Sequence, residues 1–110
     1  MVRFVDEPYL SDKVKPKLSS IKWKLICGIG MTNVHFIMLA DNKKDLFDIV
    51  PAAVFKQKSM RRSRRVILGV ADDRKSAAGL VEQMISECLR ERGDLSDVRG
   101  YFERYIKDHL

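Results

Sequence analysis

Residues 66–93 read VILGVADDRKSAAGLVEQMISECLRERG, a short apolar strand followed by the strongest helix pattern in the chain. Between residues 77 and 88 the apolar side chains recur at three- and four-residue spacing, which is typical of a helix with one buried face. Asp72 or Asp73 can cap the start of this helix, because a short carboxylate accepts a hydrogen bond from a free first-turn N–H. Gly93 is placed to end it in a left-handed conformation. The stretch therefore predicts a strand joined directly to a long helix.

Three further strands are predicted upstream of this pair. Residues 21–27 alternate between lysine and apolar side chains, which predicts a strand with Trp23 on its buried face. Residues 34–40 are almost entirely apolar and indicate a central strand, and residues 46–50 indicate a third. Short polar turns, one of them at residues 41–45, separate these strands, so the sequence predicts an antiparallel meander.

The remaining segments complete the predicted architecture. A second helix begins at Asp94 or Ser96, and residues 51–58 are either a short helix or irregular chain. Residues 1–20 are interpreted as a partly ordered, lysine-rich N-terminal arm, and residues 21–110 as a single α+β domain. The predicted fold class is α+β, with an antiparallel sheet of about four strands, the meander first, and two C-terminal helices packed on one face.

Charge is distributed unevenly along the 110 residues. Residues 1–65 carry fourteen Lys and Arg against six Asp and Glu, whereas residues 66–110 carry seven against nine, and the net charge is +6. This asymmetry fits attraction of an anion to one side of the molecule, and it also fits two subunits meeting acidic side to basic side. The longest near-apolar run, residues 25–40, is too short for a membrane span and the N-terminus does not resemble a signal peptide. We therefore expect a cytoplasmic protein that does not contact a membrane.

The main candidate functional feature is a basic run in residues 56–65 that contains no Asp or Glu. Guanidinium groups match phosphate oxygens bidentately, and lysines of residues 22–24 could extend the basic surface. Binding to a polyanion such as nucleic acid would then be independent of sequence and strongly salt-dependent. The predicted polyanion-binding residues are Arg61, Arg62, Arg64, Arg65, Lys56, Lys58, Lys22 and Lys24.

A homodimeric or protein–protein interaction module is the alternative, with the basic loop incidental. The predicted strands at residues 34–40 and 66–71 are apolar on both faces. Two C-terminal helices can cover only one face of such a sheet, so the other face and the strand edges would need a partner.

Catalysis is a more remote alternative. Neither His35 nor His109 lies at a spacing from Ser, Cys or a carboxylate that is known from catalytic triads. Cys27 and Cys88 lack metal-binding or redox spacing and are predicted to be buried, reduced thiols. We therefore expect no catalytic residues, no metal and no cofactor.

Overall fold

The structure, a computed structural model that describes residues 1–42 and 44–110, shows an α+β fold with a four-stranded mixed sheet. The fold class is the predicted one. Short 3-10 helices occur at Lys15–Lys17 and Ala52–Lys56. The strands and α-helices follow in the order β1 Arg3–Leu10, α1 Leu18–Cys27, β2 His35–Leu39, β3 Phe47–Pro51, α2 Lys58–Arg61, β4 Val66–Ala71, α3 Arg74–Arg92 and α4 Val98–Asp108.

The sheet has the strand order β1-β4-β2-β3. The β1 strand pairs with β4 in parallel, whereas β2 is antiparallel to both β4 and β3. The prediction of an antiparallel sheet that opens with a meander is therefore wrong. Only β2 and β3 form the expected hairpin, because the first predicted strand is a helix and its place in the sheet is taken by β1.

The segment of residues 21–27 is helical because its buried positions follow the helical period. Ile21 and Leu25, four residues apart, are the buried positions of α1, while Trp23 is exposed. Gly28 ends the helix at φ +70, a left-handed conformation that favours glycine. The alternation of lysine and apolar residues was thus misleading about both the element and the burial of Trp23.

Helices cover both faces of the sheet, which differs from the predicted packing on one face. On the first face, Ile21 and Leu25 of α1 join Phe36 and Phe55 in one hydrophobic cluster. On the second face, α3 and α4 pack over Ile37. The face that was expected to need a partner is therefore covered by α1 and the 3-10 helix of residues 52–56.

The N-terminal residues assigned to an arm contribute β1, an edge strand of the sheet. Residues 51–58, which were ambiguous, form the 3-10 helix and the start of α2. The predicted long helix is confirmed as α3, with Asp73 as its N-cap. In the predicted turn at residues 41–45, Lys43 lies outside the described residues.

The last helix is attached to β1 by hydrogen bonds. The Tyr105 hydroxyl donates to the Glu7 carbonyl at 2.6 Å, and the Asp6 N–H donates to the His109 carbonyl at 2.7 Å. The His109 ring stacks on Tyr105, and its Nδ1 lies 3.0 Å from Asp6 Oδ1. Within residues 1–42 and 44–110, no helix combines the length and the apolar character needed to cross a membrane.

Candidate polyanion-binding surface

Two acid-free basic segments of the sequence lie close together in the structure. Residues 13–40 contain five Lys and Arg and residues 49–71 contain six, and neither segment contains an Asp or Glu. The two segments pack together over the first face of the sheet, where the Phe36 and Phe55 rings meet edge to face at 5.4 Å. Charges that are separate in the sequence are thus brought close together, where mutual repulsion favours binding of an anion. Arg64 differs from the others, because it lines a cavity with Arg99 and Ile106 of α4.

Arg61 links this basic segment to the end of α1. Its Nη1 donates to the Phe55 carbonyl at 2.9 Å and to the Lys56 carbonyl at 2.7 Å. The guanidinium lies beside Gly28, where an added Cβ would be 2.8 Å from the Arg61 Cζ. A cation at the C-terminus of a helix is favoured by the macrodipole. Arg61 therefore orders this end of α1 and has fewer donors left for a ligand.

Arg65 is also occupied by contacts within the protein. Its Nη2 donates to Asp48 Oδ2 at 2.7 Å and to the Leu39 carbonyl at 2.8 Å, and the side chain is 16% exposed. Asp41 Oδ1 lies 3.3 Å from Nε, but the geometry is too poor for a hydrogen bond. Arg65 joins β4 to β3 across β2, so its first role is structural.

The other four members of the basic run extend into solvent. Arg62, Arg64, Lys56 and Lys58 are exposed. Among the residues that the structure describes, no side-chain hydrogen bond or salt bridge occupies their charged groups. These four side chains are therefore the members of the run that are available to an anion.

Lys22 and Lys24 lie on opposite flanks of α1. The Lys22 Nζ is 5.3 Å from the centroid of the Phe4 ring on β1. The neighbouring Arg3, also exposed, donates its backbone N–H to the Arg65 carbonyl at 3.2 Å. Lys22 and Arg3 thus lie beside the basic run, whereas Lys24 lines a cleft on the other flank of α1.

Trp23 is the functional candidate that sequence reasoning missed. It is the only tryptophan in the chain, and it is 59% exposed on the outer side of α1 between Lys22 and Lys24. Ile26 is 60% exposed one turn further on. The helical period of Ile21 and Leu25 is the signal that would have placed Trp23 on the outside. Phe55, the aromatic side chain that directly precedes the basic run, is buried in the core.

A second candidate site, which was not among the predicted sites, lies where β1 and β4 end. The Ser11 hydroxyl donates to Asp72 Oδ1 at 3.0 Å and accepts from the Asp72 N–H at 3.2 Å. The hydrogen bond from Ser11 lowers the pKa of the Asp72 carboxyl below its usual value. A cleft of about 640 Å³ opens beside this pair.

The structure also describes the residues that were considered for catalysis, metal binding and redox chemistry. Within the part of the chain that the structure describes, no three His, Cys, Asp or Glu side chains are close enough together to hold a metal ion. His35 lies at the start of β2, with its Nδ1 buried, and His109 contacts Asp6 at the end of the chain. Cys88 is buried as predicted, but Cys27 is exposed because its segment is helical.

Comparison with protein-family models, with curated proteins and with solved structures gives no match to this chain.

Proposed function

We propose that this protein is a small binding module that contacts single-stranded nucleic acid independently of sequence, through the basic surface around α1 and α2. The observation that carries the proposal is the exposed Trp23 beside Lys22, on a side of the molecule built from two acid-free segments. Proteins that bind single strands combine a positively charged surface, which follows the backbone, with aromatic side chains on which bases stack.

The basic residues have different roles in this proposal. Arg62, Arg64, Lys56 and Lys58 are exposed and supply the phosphate contacts. Lys22 adds a further charge beside β1. Arg61 and Arg65 hold the surface in shape through their hydrogen bonds to carbonyl groups and to Asp48. Lys24, on the other flank of α1, is peripheral.

Fluorescence anisotropy of a labelled single-stranded oligonucleotide tests the phosphate contacts. Titrations at about 50 and 200 mM salt should differ in affinity by roughly 100-fold, because each of the five proposed phosphate contacts to a single strand contributes about 0.7 to the slope of log affinity against log salt. An Arg62→Ala/Arg64→Ala variant should bind more weakly at low salt and show a shallower salt dependence. An Arg90→Ala/Arg104→Ala variant is the matched control, because it removes two exposed arginines from α3 and α4.

The stacking of a base on Trp23 can be measured separately from the phosphate contacts. Since Trp23 is the only tryptophan, quenching of the protein's tryptophan fluorescence by an unlabelled oligonucleotide reports directly on this side chain. Trp23→Phe should keep most of the affinity and Trp23→Ala should lose about tenfold or more, because stacking contributes roughly 1–3 kcal/mol per base. Absence of binding at low salt, or equal binding by the arginine variant and its control, would refute the proposal.

A homodimer is the second candidate function, and the exposed apolar side chains of α1 favour it. Trp23 and Ile26 are 59% and 60% exposed and adjacent, with Ile29, 42% exposed, just beyond the helix. Sedimentation equilibrium at low and high salt distinguishes the two functions. A dimer formed by apolar burial should keep its mass at high salt and dissociate on Ile26→Lys substitution.

A further inference from the structure

The carboxyl ends of β1 and β4 create a crevice that the proposed nucleic-acid surface does not use. The two strands are adjacent and parallel. After β1 the chain passes to α1 on the first face of the sheet, and after β4 it passes to α3 on the second face. A pair of parallel strands whose following helices leave toward opposite faces opens a crevice beyond the strand ends, which is where ligands bind in open sheets of this kind.

The cleft of about 640 Å³ lies in this crevice, on the α1 side of the Ser11–Asp72 pair. Its volume falls in the range of small-molecule binding sites. The start of α1, the loop before β2 and the two aspartates after β4 surround it. The lining residues that carry charge are Lys13, Lys17, Lys24, Asp72 and Asp73.

The charged groups of the cleft come from two parts of the chain. Lys13, Lys17 and Lys24 come from the segment that leads into and forms α1. Asp72 and Asp73 follow β4 and are held in place, since Asp72 accepts from Ser11 and Asp73 accepts from the Ser76 N–H at 2.6 Å. Lys13 is near enough to Asp72 to help lower the pKa of its carboxyl. An anion is attracted to the lysines and repelled by the two aspartates. A matching ligand therefore carries negative charge at one end and hydrogen-bond donors at the other.

We propose that this cleft binds a small phosphate monoester with free hydroxyl groups, such as a sugar phosphate or a mononucleotide. The phosphate contacts Lys13, Lys17 and Lys24, because lysine is a common phosphate ligand that acts as a point charge. The hydroxyl groups donate to the carboxylates of Asp72 and Asp73. The site shares only Lys24 with the residues considered for nucleic-acid binding and does not depend on that function.

Isothermal titration calorimetry with ribose 5-phosphate and with AMP tests the proposal, and ribose, adenosine and inorganic phosphate serve as partial ligands. Each ester should bind saturably and more tightly than inorganic phosphate or its unphosphorylated counterpart. A Lys13→Ala/Lys17→Ala variant should weaken ester binding about tenfold or more, since hydrogen bonds to charged groups are among the stronger ones. Lys44→Ala/Lys107→Ala, which removes two exposed lysines outside the cleft, should bind as the unmodified protein does.

Asp72→Asn should affect the affinities for two ligands differently. It should weaken binding of ribose 5-phosphate, because a charged acceptor for the hydroxyls is lost, and it should leave binding of inorganic phosphate unchanged or improved. The proposal is overturned if neither ester binds below about 10 mM, if the lysine pair has no effect, or if inorganic phosphate binds as well as the esters. Oligonucleotide binding by the Lys13→Ala/Lys17→Ala variant is measured in parallel, so that failure of one site is not mistaken for failure of the other.

Discussion

Arg65, the residue that directly precedes β4, forms a salt bridge of 2.7 Å with Asp48 of β3, although β4 and β3 are not neighbours in the sheet. The same Arg65 Nη2 also donates to the carbonyl of Leu39, at the end of the strand between them. An arginine from the basic run thus bonds to two strands of the sheet, although the sequence presents it as equivalent to Arg64. Removal of the Arg65 side chain should therefore lower the free energy of unfolding more than removal of the Arg64 side chain.

Arg65→Ala should lower the free energy of unfolding by about 2 kcal/mol, because it leaves Asp48 and the Leu39 carbonyl without their charged donor. Arg64→Ala should change it by no more than about 0.5 kcal/mol, as is usual for an exposed position. Urea unfolding of both variants measures the difference. Equal stabilities would show that the Arg65 contacts contribute no more than an exposed surface charge.

The sequence predicted the elements whose patterns are local. The apolar run of β4 and the apolar stripe of α3 each lie within one short window, and the cap at Asp73 marks the boundary between them. The segment of α1 was misassigned because Lys22 and Lys24 alternate with apolar residues over a distance too short to separate the periods of helix and strand. The burial of Ile21 and Leu25, four residues apart, and the left-handed conformation of Gly28 are those of a helix.

Features that depend on distant pairing were not predictable. Phe4 of β1 pairs with Ile67 of β4, more than sixty residues later, and no local pattern indicates that this pairing is parallel. The crevice beside Ser11 and Asp72 follows from that pairing. The exposure of Trp23 follows from the helical state of α1. The candidate basic residues were identifiable from composition, but the division into structural and exposed arginines required their contacts.

Ser11→Ala should reduce stability in a pH-dependent manner. The Ser11 hydrogen bond is the largest cause of the lowered pKa of Asp72, whose usual value is 3.8. A lowered pKa in the folded state means that the unfolded chain binds the proton more readily, so this contribution is present above the usual pKa and is lost as the pH falls through the folded value. The stability difference between the protein and the variant should therefore shrink from about pH 6 to about pH 3 in urea unfolding. A constant difference would contradict the assignment.

Tyr105 should ionise late in an alkaline titration. Burial, followed by the nearby Glu7 and Glu87 carboxylates, raises its pKa to about 12. A raised pKa favours the neutral phenol in the folded state, so its stabilising effect is complete below the usual value of 10.0 and is lost as the pH rises toward 12. Phenolate absorbance of the protein and of Tyr105→Phe, compared with and without denaturant, measures the shift. Tyr105→Phe should also destabilise the contact of α4 with β1, because the hydrogen bond to the Glu7 carbonyl is lost.

Gly28 and Gly93 are a matched pair for testing the contact with Arg61. Both glycines end a helix at positive φ, at +70 and +81, so alanine at either position should cost about 1–2 kcal/mol of backbone strain. An alanine Cβ at Gly93 meets no atom of the described residues within 4 Å, whereas at Gly28 it would displace the Arg61 guanidinium. Gly28→Ala should therefore be the more destabilising variant in urea unfolding. Equal losses would indicate that Arg61 moves aside without cost.

Gly79→Ala should stabilise the protein. Gly79 lies inside α3, and its φ is not in the left-handed region. In the part of the chain that the structure describes, an added Cβ at Gly79 would meet no atom within 4 Å. Alanine in a helix interior is favoured over glycine by about 0.5–1 kcal/mol, chiefly because the unfolded chain loses conformational freedom. Thermal unfolding should show a midpoint higher by a few degrees.

Gly79 lines the smaller cavity on the α3 side of Asp72 and not the cleft beside α1. If the cleft is the phosphate-ester site, the stabilised variant should bind ribose 5-phosphate with unchanged affinity, and weaker binding would place the ligand on the α3 side instead.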